Sequence, residues 1–306
     1  MFEVLLARLG SAALAVFGVC TLVFLLIHLV PGDPVEVMLG EGASAADRGA
    51  LRAALGLDRP LTEQYLGYLG RVARLDLGVS LHDRRPVLDL LLERAGPTLE
   101  LALAALILAV LIALPLGVLA AQHRGGTLDR VAMTVSLIGA AIPNFWLGPL
   151  LILLFSLWLG WMPVSGRDGW SSLVLPALTL GTGLAAVLAR MVRASVLEVL
   201  NEDYVRTARA KGLGPVAVLW GHALRTAWLP ILTLIGLQLG ALLAGAVITE
   251  TVFAWPGLGS LLVEAIQQRD YPVVQGAVLL ISLTYVLVNG ATDLAYGLLD
   301  PRTRLG

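Results

Sequence analysis

The stretch of this 306-residue chain densest in groups that can form ion pairs runs from Asn201 to Pro230, NEDYVRTARAKGLGPVAVLWGHALRTAWLP. It carries Arg206, Arg209, Arg225 and the only lysine, Lys211, between strongly apolar segments. Cations in such a setting can pair with the carboxylates of a partner, or hold a loop on the cytoplasmic face of a membrane, where Lys and Arg accumulate. Neither use is catalysis. The chain has no GxxxxGK[ST] phosphate cradle, so it is not expected to bind ATP itself, and it has no HExxH or GxSxG arrangement. His28, His82, His123 and His222 fall in separate segments without paired ligand spacing, and the single cysteine, Cys20, sits in an apolar run where it reads as a small core residue. No catalytic residue and no metal ligand is expected.

A second set of candidates is polar and scattered. Asn144, Gln238, Asn289 and Asp293 interrupt apolar runs, and Glu250 stands at the outer end of one. Polar groups at membrane depth are costly and face a protein interior or an aqueous path, so these five are the candidate translocation-pathway residues. Asn289 and Asp293 are four apart and share a helix face. The plainer alternative for Asp293 is that it reaches the headgroup region near the end of its span. A glutamine in mid-span, such as Gln238, needs partners.

The elements that must position these residues are membrane helices. With 58% hydrophobic and 14% charged residues and a mean hydropathy of +0.84, the composition is that of an integral membrane protein. A formal net charge of −1 supplies no basic surface for nucleic acid. Six apolar segments stand out, at Leu9 to Val30, Leu101 to Ala121, Val131 to Leu159, Leu173 to Ala189, Trp228 to Thr249 and Val273 to Thr292, most near the ~20 residues a membrane helix needs. The first is read as a retained span, because Pro31-Gly32-Asp33-Pro34 follows it and no small-residue cleavage site does. The third is overlong, and Pro143-Asn144 should make it tilt or kink. Arg124 and Arg130, the arginines around the central island, and Arg302 and Arg304 put both termini and the island on the cytoplasmic side; the long first loop is discounted, since loops beyond ~60 residues cross largely regardless of charge.

Local chemistry divides the island into two short helices. Asn201 can N-cap a helix with Glu202 and Asp203 in its first turn and Arg209 and Lys211 in its last; Gly212 then takes the left-handed cap position. Pro215 starts a second helix, expected to run through His222 into the apolar stretch beyond Pro230. The first loop, Pro31 to Pro97, is too long for a connector and should form a small ordered cap: Ser44 to Leu55 and Thr62 to Leu75 have helical periodicity, Gly56 suits a C-terminal cap, and Pro86 starts a third short helix reaching Arg94. In the fifth span Gly236 and Gly240 form a close-packing signature, facing either a partner subunit or this one. Beyond it Trp255 suits an interfacial belt, and Pro256, Gly257 and Gly259 set a turn into a short surface helix through Gln267.

With those residues in place, the island resembles the cytoplasmic loop of ABC importer permeases. Arg206-Thr207-Ala208 precede Gly212 at the spacing of the family's Glu-Ala-Ala and glycine, and Leu229-Pro230 close the segment. The leading Glu is Arg206 here, and the run from Gly212 to Leu229 is about one turn longer than in the sugar-transport branch; both departures resemble the peptide and nickel branch. PGDP, LGLDRPL, DLGVS, RPV, PNFWLG, VFAWPGLG and RDYPVVQ extend the resemblance over nearly the whole chain.

The resemblance implies an all-α integral membrane protein of six transmembrane helices with the type I ABC importer permease fold and a small helical extracytoplasmic cap. Its divisions would be residues 1–30 (cytoplasmic N-terminus and first membrane helix), 31–97 (cap) and 98–306 (membrane core, with a cytoplasmic coupling loop at 190–228). Tyr204, Arg206, Thr207, Ala208, Arg209, Lys211 and Gly212 would couple the chain to an ATPase, with Ala208 on the docking face allowing close approach. Implied partners are a second homologous permease, two ABC ATPase subunits that bind ATP and Mg, an extracytoplasmic substrate-binding protein and the lipid bilayer of a bacterial inner membrane. The chain itself would hold no cofactor. The cargo read from the resemblance is di- or oligopeptides, with nickel, a nickel chelate or glutathione as alternatives on the same scaffold; an ion-coupled secondary transporter is the alternative of another class.

Overall fold

The computed structural model describes residues 2–29, 35, 44–54, 56–219, 221 and 224–299. Among them there is no β-strand, only an isolated bridge pairing Val79 with Pro86. Three helices among the described residues are each long and apolar enough to cross a membrane, at Val87–Gln122, Trp170–Leu200 and Tyr271–Thr292. The third expected segment is a bent pair, Thr127–Ala141 and Asn144–Trp158, turned by 101° at a short break, which makes a broken span or a re-entrant loop. Its hinge is where the sequence placed it, because Pro143 holds extended backbone (φ −69°, ψ 140°) and lacks an amide donor for the preceding turn. Beyond Leu151 the helix widens to a π-helical stretch, Ile152–Trp158. The first and fifth expected segments are helical too, at Phe2–Leu29 and Leu224–Gly245, and contain the shorter apolar stretches Gly10–Leu25 and Thr226–Gly240.

The chain divides into two compact units, Met1–Pro97 with Pro256–Val286, and Thr98–Trp255 with Leu287–Gly306. In the first, the helix Leu61–Ala73 lies on Phe2–Leu29 through aromatic side chains: Tyr65 and Tyr68 stack on Phe24 with centroids 5.2 and 5.8 Å apart, around buried Cys20 and Val23. The Tyr65 and Thr21 hydroxyls meet at 2.6 Å. Asp270, 2% exposed, organises the other end of this unit. Its carboxylate accepts the Ser80 hydroxyl at 2.5 Å and the backbone N–H groups of Leu81 and His82 at 3.0 and 3.2 Å. With the Val273 N–H at 3.4 Å as a fourth donor, the carboxylate is well compensated for its burial.

One expectation for the cap changes. The helices at Ala45–Ala54 and Leu61–Ala73 are present, and Gly56 takes the left-handed conformation (φ 66°) after the first. The third is not a short helix ending at Arg94, however: it begins at Val87 and continues without interruption to Gln122. Leu90 and Leu91 are buried against Leu258, Leu261, Val273 and Ala277, so apolar burial carries the helix onward where the sequence suggested a boundary.

In the second unit, helices Val87–Gln122, Trp170–Leu200 and Leu224–Gly245 share an apolar core that includes Leu101, Ala105, Leu180, Leu242 and Ala246. Trp255 belongs to this core with no exposed surface, which corrects the expectation of an interfacial belt residue. An indole closes more apolar area than any other side chain, and the Arg167 guanidinium lies 5.9 Å over its ring while pairing with Glu100 at 2.6 Å. The ambiguity over Gly236 resolves within the subunit: a Cβ there would collide with the Thr292 side chain on the last helix. In the first unit, the helix Leu258–Gln267, expected at the surface, buries Leu258, Gly259, Leu261 and Ala265.

Candidate functional site

The cationic island is built on the end of the Trp170–Leu200 helix. Asn201 belongs to that helix rather than to the next: its backbone is near-helical (φ −92°, ψ −7°) and its Nδ2 donates to the Leu197 carbonyl at 2.9 Å. The extended residue needed to open the next helix is Glu202 (φ −68°, ψ 148°), and no side chain caps it. Asp203–Ala210 then forms the first short helix, with Asp203 at its positive end and Arg209 at its negative end as the dipole favours. It stops in a two-bond glycine cap: Gly212 (φ 84°) donates to Arg209 O at 2.9 Å and Leu213 donates to Ala208 O at 3.3 Å. Pro215 opens Pro215–Val218, and the following helix begins at Leu224; His222 lies outside the described residues, as do Arg302 and Arg304.

Two residues hold this knob to its base. Val205 and Ala208, three apart, are 0% and 6% exposed in a core with Val196, Val199, Val218 and Leu224. Ala208 was expected on a docking face and instead packs into its own chain. Tyr204 adds a hydrogen bond from its hydroxyl to Thr226 Oγ1 at 2.9 Å, and Thr207 donates to Asp203 O at 2.9 Å. Arg206 reaches Asp203 at 3.4 Å across an exposed i,i+3 spacing, a pair of little energetic weight. Tyr204, Arg206, Thr207, Arg209, Lys211 and Gly212 are all exposed. The outward face is therefore cationic and hydrogen-bonding, over an apolar underside.

Sequence reasoning missed the ion pair that braces this base. Asp129, 4% exposed, takes a two-pronged contact from Arg193, Nε to Oδ1 at 2.5 Å and Nη2 to Oδ2 at 2.8 Å, and the Gly125 N–H at 2.9 Å. It joins Thr127–Ala141 to the helix from which the knob hangs. The available signal is a carboxylate in the midst of arginines at the head of an apolar helix, although the pattern does not say that its partner is Arg193.

Of the five pathway candidates, two come together. Asn144 and Gln238 line one open cavity of about 210 Å³ with Leu180, Gly183, Leu184, Val187 and Leu242. Asn289 does not line it; its Oδ1 is buried with no hydrogen-bond partner among the described residues. Glu250 is elsewhere, fully buried, and accepts the Thr98 hydroxyl at 2.7 Å. That contact makes it a structural link between the Val247–Val252 helix and the Val87–Gln122 helix. Asp293 lies in the last helix, with its side chain outside the described residues. Among the described residues no group of three His, Cys, Asp or Glu side chains could hold a metal ion.

A helical membrane chain, a braced cationic knob and an amide-lined cavity can now be set beside known proteins. Residues 113–305 match the family model described as binding-protein-dependent transport system inner membrane component, and residues 1–102 match the model of its N-terminal part. The chain is 48% identical over 333 residues to the di/tripeptide transport system permease protein DppB of Pseudomonas aeruginosa (strain UCBPP-PA14) and 45% identical over 336 residues to the dipeptide transport system permease protein DppB of Escherichia coli (strain K12); each alignment covers 99% of both chains. It is 44% identical over 304 residues, again 99% of both chains, to the glutathione transport system permease protein GsiC of Escherichia coli (strain K12). Among solved structures, inward-facing conformations of the MetNI methionine ABC transporter superpose with TM-scores of 0.58 and 0.60 at 22% identity, covering 70% and 69% of this chain and 97% and 96% of theirs, a likeness of fold. The chain is a multi-pass membrane protein with the fold of an ABC importer permease, and it belongs to the family of binding-protein-dependent transport system inner membrane components.

Proposed function

We propose that this chain is the permease subunit of an ATP-driven importer that brings di- and oligopeptides across a bacterial inner membrane. The observation that carries the reading is the full-length similarity, 48% and 45%, to permeases of di/tripeptide and dipeptide systems. The similarity to a glutathione permease favours a second cargo, itself a short peptide, on the same scaffold. The chain pairs with a second homologous permease and two ATPase subunits, which hold ATP and Mg and hydrolyse the nucleotide. An extracytoplasmic binding protein delivers cargo to the cap formed by residues 31–97, and residues 98–306 form the membrane core.

Coupling runs through the knob. The exposed groups of Tyr204, Arg206, Thr207, Arg209 and Lys211 engage acidic and hydrogen-bonding groups of an ATPase, while Gly212 fixes the corner and Ala208 seats the helix from beneath. Because Val205 and Ala208 are packed into the chain, a push on the outer face moves the Trp170–Leu200 helix instead of bending the loop alone. Asn144, Gln238 and Asn289 are the pathway residues this reading retains; Asp293 joins them from its place on the last helix, and Glu250 supports the wall.

The decisive experiment is uptake of a labelled dipeptide by proteoliposomes containing the assembled complex. Uptake should require internal ATP and the loaded binding protein; uptake driven by an ion gradient without ATP overturns the reading. The isolated chain should bind no nucleotide. Reporter fusions after Lys211 and after Asp76 should report the cytoplasmic and extracytoplasmic sides respectively, with both termini cytoplasmic, and the same side for both would overturn the orientation.

A further inference from the structure

Asn144 opens the second arm of the bent pair, Gln238 stands midway along Leu224–Gly245, and they meet at a cavity otherwise walled by Leu180, Leu184, Val187 and Leu242. Both side chains are partly exposed, and neither has a hydrogen-bond partner among the described residues. Two carboxamides are thus presented, each with an acceptor oxygen and two donor hydrogens, from a wall that carries no charge. In a membrane protein such groups are retained where something satisfies them.

We infer that the Asn144–Gln238 cavity is a transit subsite that hydrogen-bonds the backbone amide of the cargo, and this rests on the peptide-importer reading. The chemistry selects the ligand. A carboxamide pairs with another amide donor to acceptor and acceptor to donor, whereas a cation or a phosphate would call for formal charge in the wall. At about 210 Å³ the cavity is smaller than the ~300–1,000 Å³ of sites that enclose a drug-sized ligand, so it takes one peptide unit and not a whole oligopeptide. Contact to the backbone unit alone leaves side chains unread. Leu180, Leu184, Val187 and Leu242 give the site an apolar wall, while two neutral bonds are weak enough to release cargo onward.

The test uses the complete complex in proteoliposomes with saturating loaded binding protein, and compares two probes: alanyl-alanine, and alanyl-lactate, in which an ester replaces the amide and the N–H donor is gone. The binding protein is the same in every permease variant, so a change in the amide-to-ester uptake ratio reads the permease. The wild-type complex should favour the amide. Asn144→Leu with Gln238→Leu should lower that ratio about three- to tenfold, the worth of one net hydrogen bond, and Gln238→Asn should restore part of it in the Asn144 background. General damage lowers both uptakes and leaves the ratio unmoved. An unchanged ratio overturns the subsite alone, as does loss of the second permease on co-purification, which would make the cavity an interface between subunits. Failure of the wild-type complex to take up alanyl-alanine overturns the importer reading and the subsite with it.

Discussion

Two short helices in this molecule, Ala45–Ala54 and Asp203–Ala210, are written in nearly the same local code. Each has an acid in its first turn, Asp47 or Asp203, and an arginine in its last, Arg52 or Arg209. Each is followed by a left-handed glycine, with the next leucine closing a second bond: Leu57 N–H to Arg52 O at 3.0 Å, and Leu213 N–H to Ala208 O at 3.3 Å. The first even has the better start, since Ser44 Oγ accepts the Asp47 N–H at 3.2 Å while Glu202 caps nothing with its side chain. Yet none of the described side chains of Ala45–Ala54 is buried, and Asp203–Ala210 sinks Val205 and Ala208 into a core that Arg193 and Asp129 brace. Local chemistry makes both helices. Burial anchors only one of them to the rest of its chain.

The sharpest way to break that contrast is to remove the brace. Asp129→Ala leaves the Arg193 guanidinium without its buried partner and should cost about 3 kcal/mol, the low end for such a pair because the Arg193 side chain is 28% exposed, read as a lowered thermal midpoint of the purified complex and lost uptake. An apolar pair, Asp129→Leu with Arg193→Met, should recover stability, because the cost lies in the orphaned charge.

Gly212→Pro comes next. Proline cannot adopt φ 84° and deletes the N–H that reaches Arg209 O, a local loss of about 3 kcal/mol; peptide uptake and cargo-stimulated ATP hydrolysis should collapse while the subunits still co-purify. Wild-type uptake would reduce the knob to an ordinary positive-inside loop. Ala208→Trp overfills a closed site at about 1–3 kcal/mol, and should lift the helix from its base and uncouple ATP hydrolysis from uptake. If instead uptake survived, the burial of Ala208 would not matter to coupling.

The smallest effect belongs to the exposed counterpart. Ser44→Ala removes a cap worth about 1 kcal/mol locally, and hydrogen exchange of Ala45–Ala54 should quicken while uptake stays within twofold. A large loss of uptake would show that the two helices are equals after all.

The chain's own pattern determined what short-range chemistry can determine. Apolar runs specified helices because lipid leaves the backbone no other partners, Pro143 placed the break of the third segment, and Gly56 and Gly212 marked helix ends because few other residues tolerate positive φ. Contacts between distant segments were beyond that reach. Asp129 and Arg193 are 64 residues apart, and a periodicity cannot say which carboxylate a given arginine will meet. Whether Asn201 closed one helix or opened the next depended on one residue's backbone angles, and whether Ala208 and Trp255 faced outward depended on which neighbours came to cover them. The same holds for Asn144 and Gln238: each was legible as a polar residue in an apolar run, but only the packing of three helices put both on one cavity. Burial is a property of the whole fold, because a side chain is sheltered by residues its own segment does not contain.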